Sequence, residues 1–254
     1  MAIFAMISYS NVFWLSLVAI VPVSFWLAFF RSNKKNPWNK NFLLTIFWFG
    51  VLSSLLAVFL ELFYFENKSV RGFLVGNNLE GIGFFLSTLG TVIPVALIEE
   101  FSKGLVLIWA AARRKILSLQ NGLLLGILVG LSFAVTENGI YFVRSFNEQQ
   151  AIFSGNFWQV VFLRFVFSTS AHIIYSGFCG FYLAGFLKET GWEGKIKFLL
   201  KAIFFPVFIH TSFNFLLETT LGWAVFFIVL IGLGRIVFLY QKKENEVFFL
   251  EKAL

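Results

Sequence analysis

The stretch VALIEEFSKGLVLIWA, Val95–Ala110, sets Glu99, Glu100 and Lys103 in the middle of a run otherwise apolar enough to cross a bilayer. Each ionisable group at the centre of such a helix costs roughly 3 kcal/mol on the mildest insertion scale, so all three are expected to face a bundle interior and to do a job there. On a helix Glu99 and Lys103 stand one turn apart on one side and can pair. Glu100 lies about 100° round from Glu99. The two carboxylates are therefore not expected to engage Lys103 equally, and one is left for chemistry. A Glu–Lys pair that merely locks helices together accounts for one carboxylate and not for two.

The rest of the chain agrees with a membrane setting. Of 254 residues, 59% are hydrophobic, which at this length counts spans rather than soluble cores. The lone Cys179 excludes an internal disulfide and a cysteine-based metal site. All thirteen acidic residues are Glu, so the paired-aspartate class of intramembrane protease is excluded. The zinc-protease helix His-Glu-x-x-His is absent as well. The net charge of +7 does not mark a nucleic-acid partner, because the basic residues sit in short loops between apolar runs.

Seven spans are expected, in an all-α polytopic bundle: Asn11 to Phe30, Phe42 to Phe65, Gly83 to Ala112, Gln120 to Phe146, Phe157 to Leu187, Phe198 to Leu217 and Leu221 to Tyr240. The first ten residues are uncharged, so the first span reads as a retained helix rather than a signal peptide. The fifth apolar run, at about 46 Å as a straight helix, outruns the hydrocarbon core and predicts a tilt, or a break near Ser168-Thr169-Ser170. Pro206 predicts a kink about a turn before His210. Loops are expected at Asn147 to Asn156 and Lys188 to Lys197. Residues 1–254 read as one transmembrane domain, with residues 83–217 as a four-helix catalytic core and residues 241–254 as a short tail.

The basic residues also orient the bundle. On one side lie Arg31, Lys34, Lys35, Lys40, Arg113, Arg114, Lys115, Lys188, Lys195, Lys197, Lys201, Arg235, Lys242, Lys243 and Lys252. The other side holds Lys68, Arg71 and Arg144, while Lys103 and Arg164 lie within spans. An N-terminus outside and a C-terminus in the cytoplasm follow from that imbalance, in a multi-pass protein of the cell membrane.

Three further spans carry polar groups at the depth of Glu99. Phe133, Glu137 and Tyr141 recur at i, i+4 and i+8 on one helical stripe, with Asn138 adjoining. His172 and Ser176 stand one turn apart, followed by Gly177, Gly180 and Gly185, which let a neighbouring helix come close. His210 and Asn214 repeat the one-turn spacing. This inventory suits hydrolysis of a peptide bond inside a membrane, which needs a base for water, a donor or metal for the oxyanion, and an acid for the leaving amine. A Glu in low dielectric can exchange protons near neutrality. His172 and His210 can donate to an oxyanion or ligate a metal, and Asn214 can donate to an oxyanion or set the tautomer of His210.

Taken as a set, Glu99-Glu100-x-x-Lys103, Phe133-x-x-x-Glu137-Asn138-x-x-Tyr141, His172-x-x-x-Ser176 and His210-x-x-x-Asn214 resemble the PrsW family of intramembrane proteases. That family belongs to a wider superfamily with the CAAX prenyl endopeptidases, the Abi proteins and the scaffold subunit of gamma-secretase. The resemblance covers Glu99 to Asn214. It implies that Glu99 and Glu100 supply the general base, with Glu99 favoured, and that His172, His210 and Asn214 stabilise an oxyanion or bind a metal. Lys103, Asn138, Tyr141 and Ser176 take supporting places. The prenyl endopeptidases have His at the position of Glu137 and Arg at that of Gly104, departures that favour PrsW. Glu137 with His172 and His210 makes a ligand set suited to zinc, and a metal-free glutamate mechanism stands beside it.

The implied partner is a membrane-spanning protein substrate within the lipid bilayer. Two other readings use the same polar cluster: a non-catalytic scaffold, against which the retained glutamate pair argues, and a proton-coupled transporter, against which the absence of two similar halves argues. A serine nucleophile at Ser176 with His172 as its base is a further alternative. A hydroxyl one turn from a histidine more often serves helix–helix hydrogen bonding.

Overall fold

The computed structural model describes residues 38–66, 82–149 and 155–242, together with residues 14, 15, 17–21, 23, 24 and 28. Every regular element among them is helical, as a lipid setting requires of open segments, because each backbone N–H and C=O must find its partner within the segment. In order these are α1 (Lys40–Glu66), α2 (Ile82–Ala112), α3 (Leu119–Gln149), α4 (Gly155–Leu163), a π-helical turn (Arg164–Ser168), α5 (Thr169–Lys188), α6 (Trp192–Leu217), a short 3-10 turn (Gly222–Ala224) and α7 (Val225–Gln241).

Among the described residues, six segments are long and apolar enough to cross a membrane: Lys40–Glu66, Phe84–Ala112, Leu119–Phe146, Gly155–Lys188, Trp192–Leu217 and Gly222–Gln241. The expected first span, Asn11 to Phe30, falls largely outside the described residues. Its described Leu15 and Ala19 pack on Phe142, Phe146 and Phe157. The tail beyond residue 242 also lies outside them.

The third segment is the hub, with 67% of its most apolar window buried against 39% or less for every other. A glycine ladder makes this possible. A methyl group at Gly126 would collide with the Ser176 carbonyl oxygen, and one at Gly130 with that of His172, so α3 and α5 touch backbone to backbone. Gly180, expected to admit a neighbour, packs on Gly122 in the same seam. Large apolar residues such as Trp48, Phe63, Phe101, Phe208 and Ile231 point outward, the distribution lipid favours.

Two expectations about the segments change. The loop drawn from Lys188 to Lys197 shrinks to three residues, because α5 ends at Lys188 and α6 begins at Trp192. Hydropathy placed the boundary at Phe198, but Glu193, Lys195 and Lys197 favour helix as readily as apolar residues do. Glu189 Oε1 accepts the Thr190 and Gly191 N–H groups and closes the turn. The long fifth run is resolved by the π turn, and α6 passes through Pro206 as one element.

Basic helix ends are gathered at one end of the bundle. Trp38 Nε1 donates to the Lys115 carbonyl at 2.9 Å, and Gln120 Nε2 to that of Lys242 at 2.5 Å. The 113–118 connection is tight: Lys115 N–H bonds the Ala110 carbonyl and Arg114 N–H that of Ala111, with Arg114 at φ 52°. Ser118 Oγ then caps α3 by accepting the Asn121 N–H.

Candidate active site

Lys103 is the centre of the polar cluster. Its ammonium is almost fully buried and donates to Glu100 Oε1 at 2.8 Å, Glu99 Oε2 at 3.1 Å and His172 Nδ1 at 3.2 Å, with the Phe133 ring centroid 4.1 Å away. Three N–H donors meet three acceptors, so the charge is compensated without water. Both carboxylates reach Lys103, unequally, where one was expected to be left free of it. A flexible four-carbon stem lets the ammonium settle between adjacent glutamates that a rigid helical wheel separates.

The acceptor role of His172 Nδ1 leaves the ring proton on Nε2, which lies 2.6 Å from Glu137 Oε2. That contact is short but not a directed hydrogen bond, and Glu137 Oε2 keeps an unfilled acceptor position. His210 Nδ1 lies 2.9 Å from Glu100 Oε1, so the carboxylate sets its tautomer and leaves Nε2 with a lone pair. The Tyr175 ring stacks on His210 with centroids 4.6 Å apart.

Glu137 has a second partner that the sequence pattern did not single out. Arg164 Nη2 donates to Glu137 Oε1 at 2.6 Å, and Arg164 Nε to Asn138 Oδ1 at 2.6 Å. Its guanidinium lies 3.8 Å from the Tyr141 ring centroid. The signal was present, since an arginine within a span demands a buried partner, but only tertiary structure identifies which one. Tyr175 was missed for a different reason: an aromatic between two histidines reads as ordinary core.

Glu99, Glu100, Glu137, His172 and His210 thus come together with Lys103, from α2, α3, α5 and α6. Their positions along these helices lie about 20–27 Å from the basic ends, inside a bilayer about 40–45 Å thick. Asn214, one turn beyond His210, is half-buried and its amide makes no hydrogen bond to the described residues. Ser176 is fully buried at the α3–α5 seam with no partner for its hydroxyl among the described residues, so the expected interhelical hydrogen bond is not formed there. Nδ1 of His172 accepts from Lys103 and its Nε2 carries the ring proton, which leaves no lone pair to serve as a base for Ser176.

Among the described residues, two sets of donors fall within metal-binding reach, Glu99–Glu100–His210 and Glu99–Glu137–His172, each with ligand atoms within 4.8 Å of one another. Glu99 belongs to both. The two histidines, expected in one set with Glu137, are divided between them, their ring centroids 6.2 Å apart. Carboxylate and imidazole donors suit a borderline divalent ion, and Glu100 Oε2 is buried without a hydrogen-bond partner among the described residues. Glu137 Oε2 is unfilled in the same way, so each set fits a metal on chemistry and on one unsatisfied oxygen.

Comparison with known proteins follows the same residues. The family described as PrsW family intramembrane metalloprotease matches residues 37–239. Protease PrsW of Clostridioides difficile strain 630 is 26% identical over 216 residues, covering 85% of this chain and 84% of that protein. Protease PrsW of Halalkalibacterium halodurans is 26% identical over 223 residues, covering 85% and 87%. That of Bacillus subtilis strain 168 is 25% identical over 150 residues, covering 59% and 62%. No solved structure gives a significant match.

Proposed function

The chain belongs to the PrsW family and is a multi-pass intramembrane protease, and from that premise we propose that the Lys103 cluster is its hydrolytic centre, with Glu99 as general base. One observation carries this choice. Glu100 is held by both Lys103 and His210, and Glu137 by Arg164 beside His172, whereas among the described residues Glu99 has Lys103 alone and at the longer distance. The oxygen of Glu99 not turned to Lys103 is the one free to take a proton.

In the reaction, Glu99 removes a proton from water as its oxygen bonds to the scissile carbonyl carbon. The resulting oxyanion is met by the amide of Asn214, which has no competing bond among the described residues. Glu99 then delivers its proton to the amine as the C–N bond breaks. Glu100 and Lys103 keep the His210 ring oriented throughout, and Tyr175 fixes its plane by stacking.

A divalent metal held by Glu99, Glu100 and His210 would polarise the carbonyl as a Lewis acid. Because one lone pair of Glu99 cannot both ligate and accept a proton, metal-dependent and glutamate-only hydrolysis place different demands on it. The substrate is a transmembrane or membrane-proximal segment of a partner protein, reached within the bilayer.

The test uses purified protein with a library of transmembrane peptides, and measures turnover, thermal stability and bound metal for Glu99→Gln and Glu100→Gln separately. We expect Glu99→Gln to fold near the wild-type temperature and lose turnover by at least roughly 100-fold. Glu100→Gln is expected to lose stability, because it takes one carboxylate from Lys103 and His210. Normal cutting by Glu99→Gln overturns the base assignment. Loss of bound metal in Glu99→Gln moves this residue from base to ligand.

A further inference from the structure

We propose that the π-helical turn Arg164–Ser168 is a registering device that makes Arg164 a positioning residue, gripping Glu137 and Asn138 so that Glu137 meets His172. The proposal rests on the reading of the Lys103 cluster as the hydrolytic centre.

The geometry begins with helical arithmetic. Arg164 and His172 are eight residues apart, which on a regular α-helix leaves them about 80° out of line after two turns. A π turn takes up one residue more than an α turn. The effective spacing becomes seven, and the two residues fall within about 20° of one another on one face. Both then reach the same carboxylate: Arg164 Nη2 is 2.6 Å from Glu137 Oε1, and His172 Nε2 is 2.6 Å from Glu137 Oε2.

The turn is also tied to the residues it positions. The Thr169 N–H and Thr169 Oγ1 both donate to the Arg164 carbonyl, the hydroxyl at 3.0 Å, and Asn138 Nδ2 donates to the same hydroxyl oxygen at 3.1 Å. Arg164 Nη2 also donates to Ser168 Oγ at 2.9 Å, and Nε to Asn138 Oδ1. Asn138 therefore bonds the side chain of Arg164 on one side and, through Thr169, its backbone on the other. The guanidinium plane rests over Tyr141, four residues beyond Glu137 on the same stripe. A fork with fixed donor directions is needed for this, and a lysine cannot supply it.

The experiment compares Arg164→Lys, Glu137→Gln and the double variant, with kcat and KM measured separately on a transmembrane peptide that the wild type cuts. Arg164→Lys keeps the charge and is expected to lower kcat roughly 10- to 100-fold with little change in KM. Since Arg164 acts through Glu137, the double variant should be no slower than Glu137→Gln alone, an outcome that a purely structural role would not produce. Thr169→Val, which keeps the side-chain shape while removing the hydroxyl links, provides a second route if Arg164→Lys fails to fold. It should lower kcat and be likewise non-additive with Glu137→Gln. Wild-type kcat in Arg164→Lys, or losses that multiply in the double variant, overturns the positioning role alone. Wild-type kcat in Glu137→Gln overturns the place of Glu137 in the centre, and this proposal with it.

Discussion

Lys103 does three things with one ammonium: it pairs with Glu99 and Glu100, it fixes the tautomer of His172, and it rests against the Phe133 ring. A buried cation in this position is an organising charge, and its loss leaves adjacent carboxylates facing each other in a buried site. Breaking a buried pair by removing one partner costs on the order of 3–5 kcal/mol. Lys103→Met, close in volume and uncharged, is therefore expected to lower the unfolding temperature well below that of the wild type. Adding Glu100→Gln to it should recover part of the loss, because one of the two uncompensated charges is gone. Thermal unfolding in detergent followed by tryptophan fluorescence checks both steps. Wild-type melting of Lys103→Met would show that the carboxylates are compensated elsewhere.

At the level of elements, the α3–α5 seam decides how the histidine and the carboxylates approach. Gly126 and Gly130 leave no room for a side chain, and Gly130 lies against the His172 backbone itself. Gly130→Val should cost about 1–3 kcal/mol from overpacking and shift His172 away from Lys103. Gly139, on the same helix with nothing within 4 Å of an added methyl, supplies the comparison. Gly139→Ala should gain up to about 1 kcal/mol from helix propensity. Melting temperatures that move in the same direction for the two substitutions would contradict the packing account.

For the whole molecule, the helix ends fall into two groups, with Lys40, Arg113, Arg114, Lys115, Lys188, Lys195 and Lys242 among the described residues of one. The positive-inside rule predicts that this end faces the cytoplasm. Reporter fusions after Arg31, Arg114 and Lys195 should all report cytoplasm. A periplasmic signal from any of them breaks the topology.

The membrane class, the helical fold and the polar stripes were legible because each depends on local periodicity. Glu99, Glu137, His172 and His210 stand out in apolar runs whatever those runs pack against, and the cost of burying them in lipid turns them inward. Partnership was not legible in the same way. Arg164 could be seen to need a partner, but Glu137 as that partner depends on a π turn that adds a residue to the helix and cannot be read from hydropathy. The division of the two histidines between Glu100 and Glu137 likewise comes from how α2, α3, α5 and α6 meet. Sequence by itself determined which groups must leave the lipid, through a free-energy cost that acts on each residue alone. Only the tertiary structure decided which charges face which, because pairing at about 3 Å depends on the relative rotation of helices that are distant in the chain.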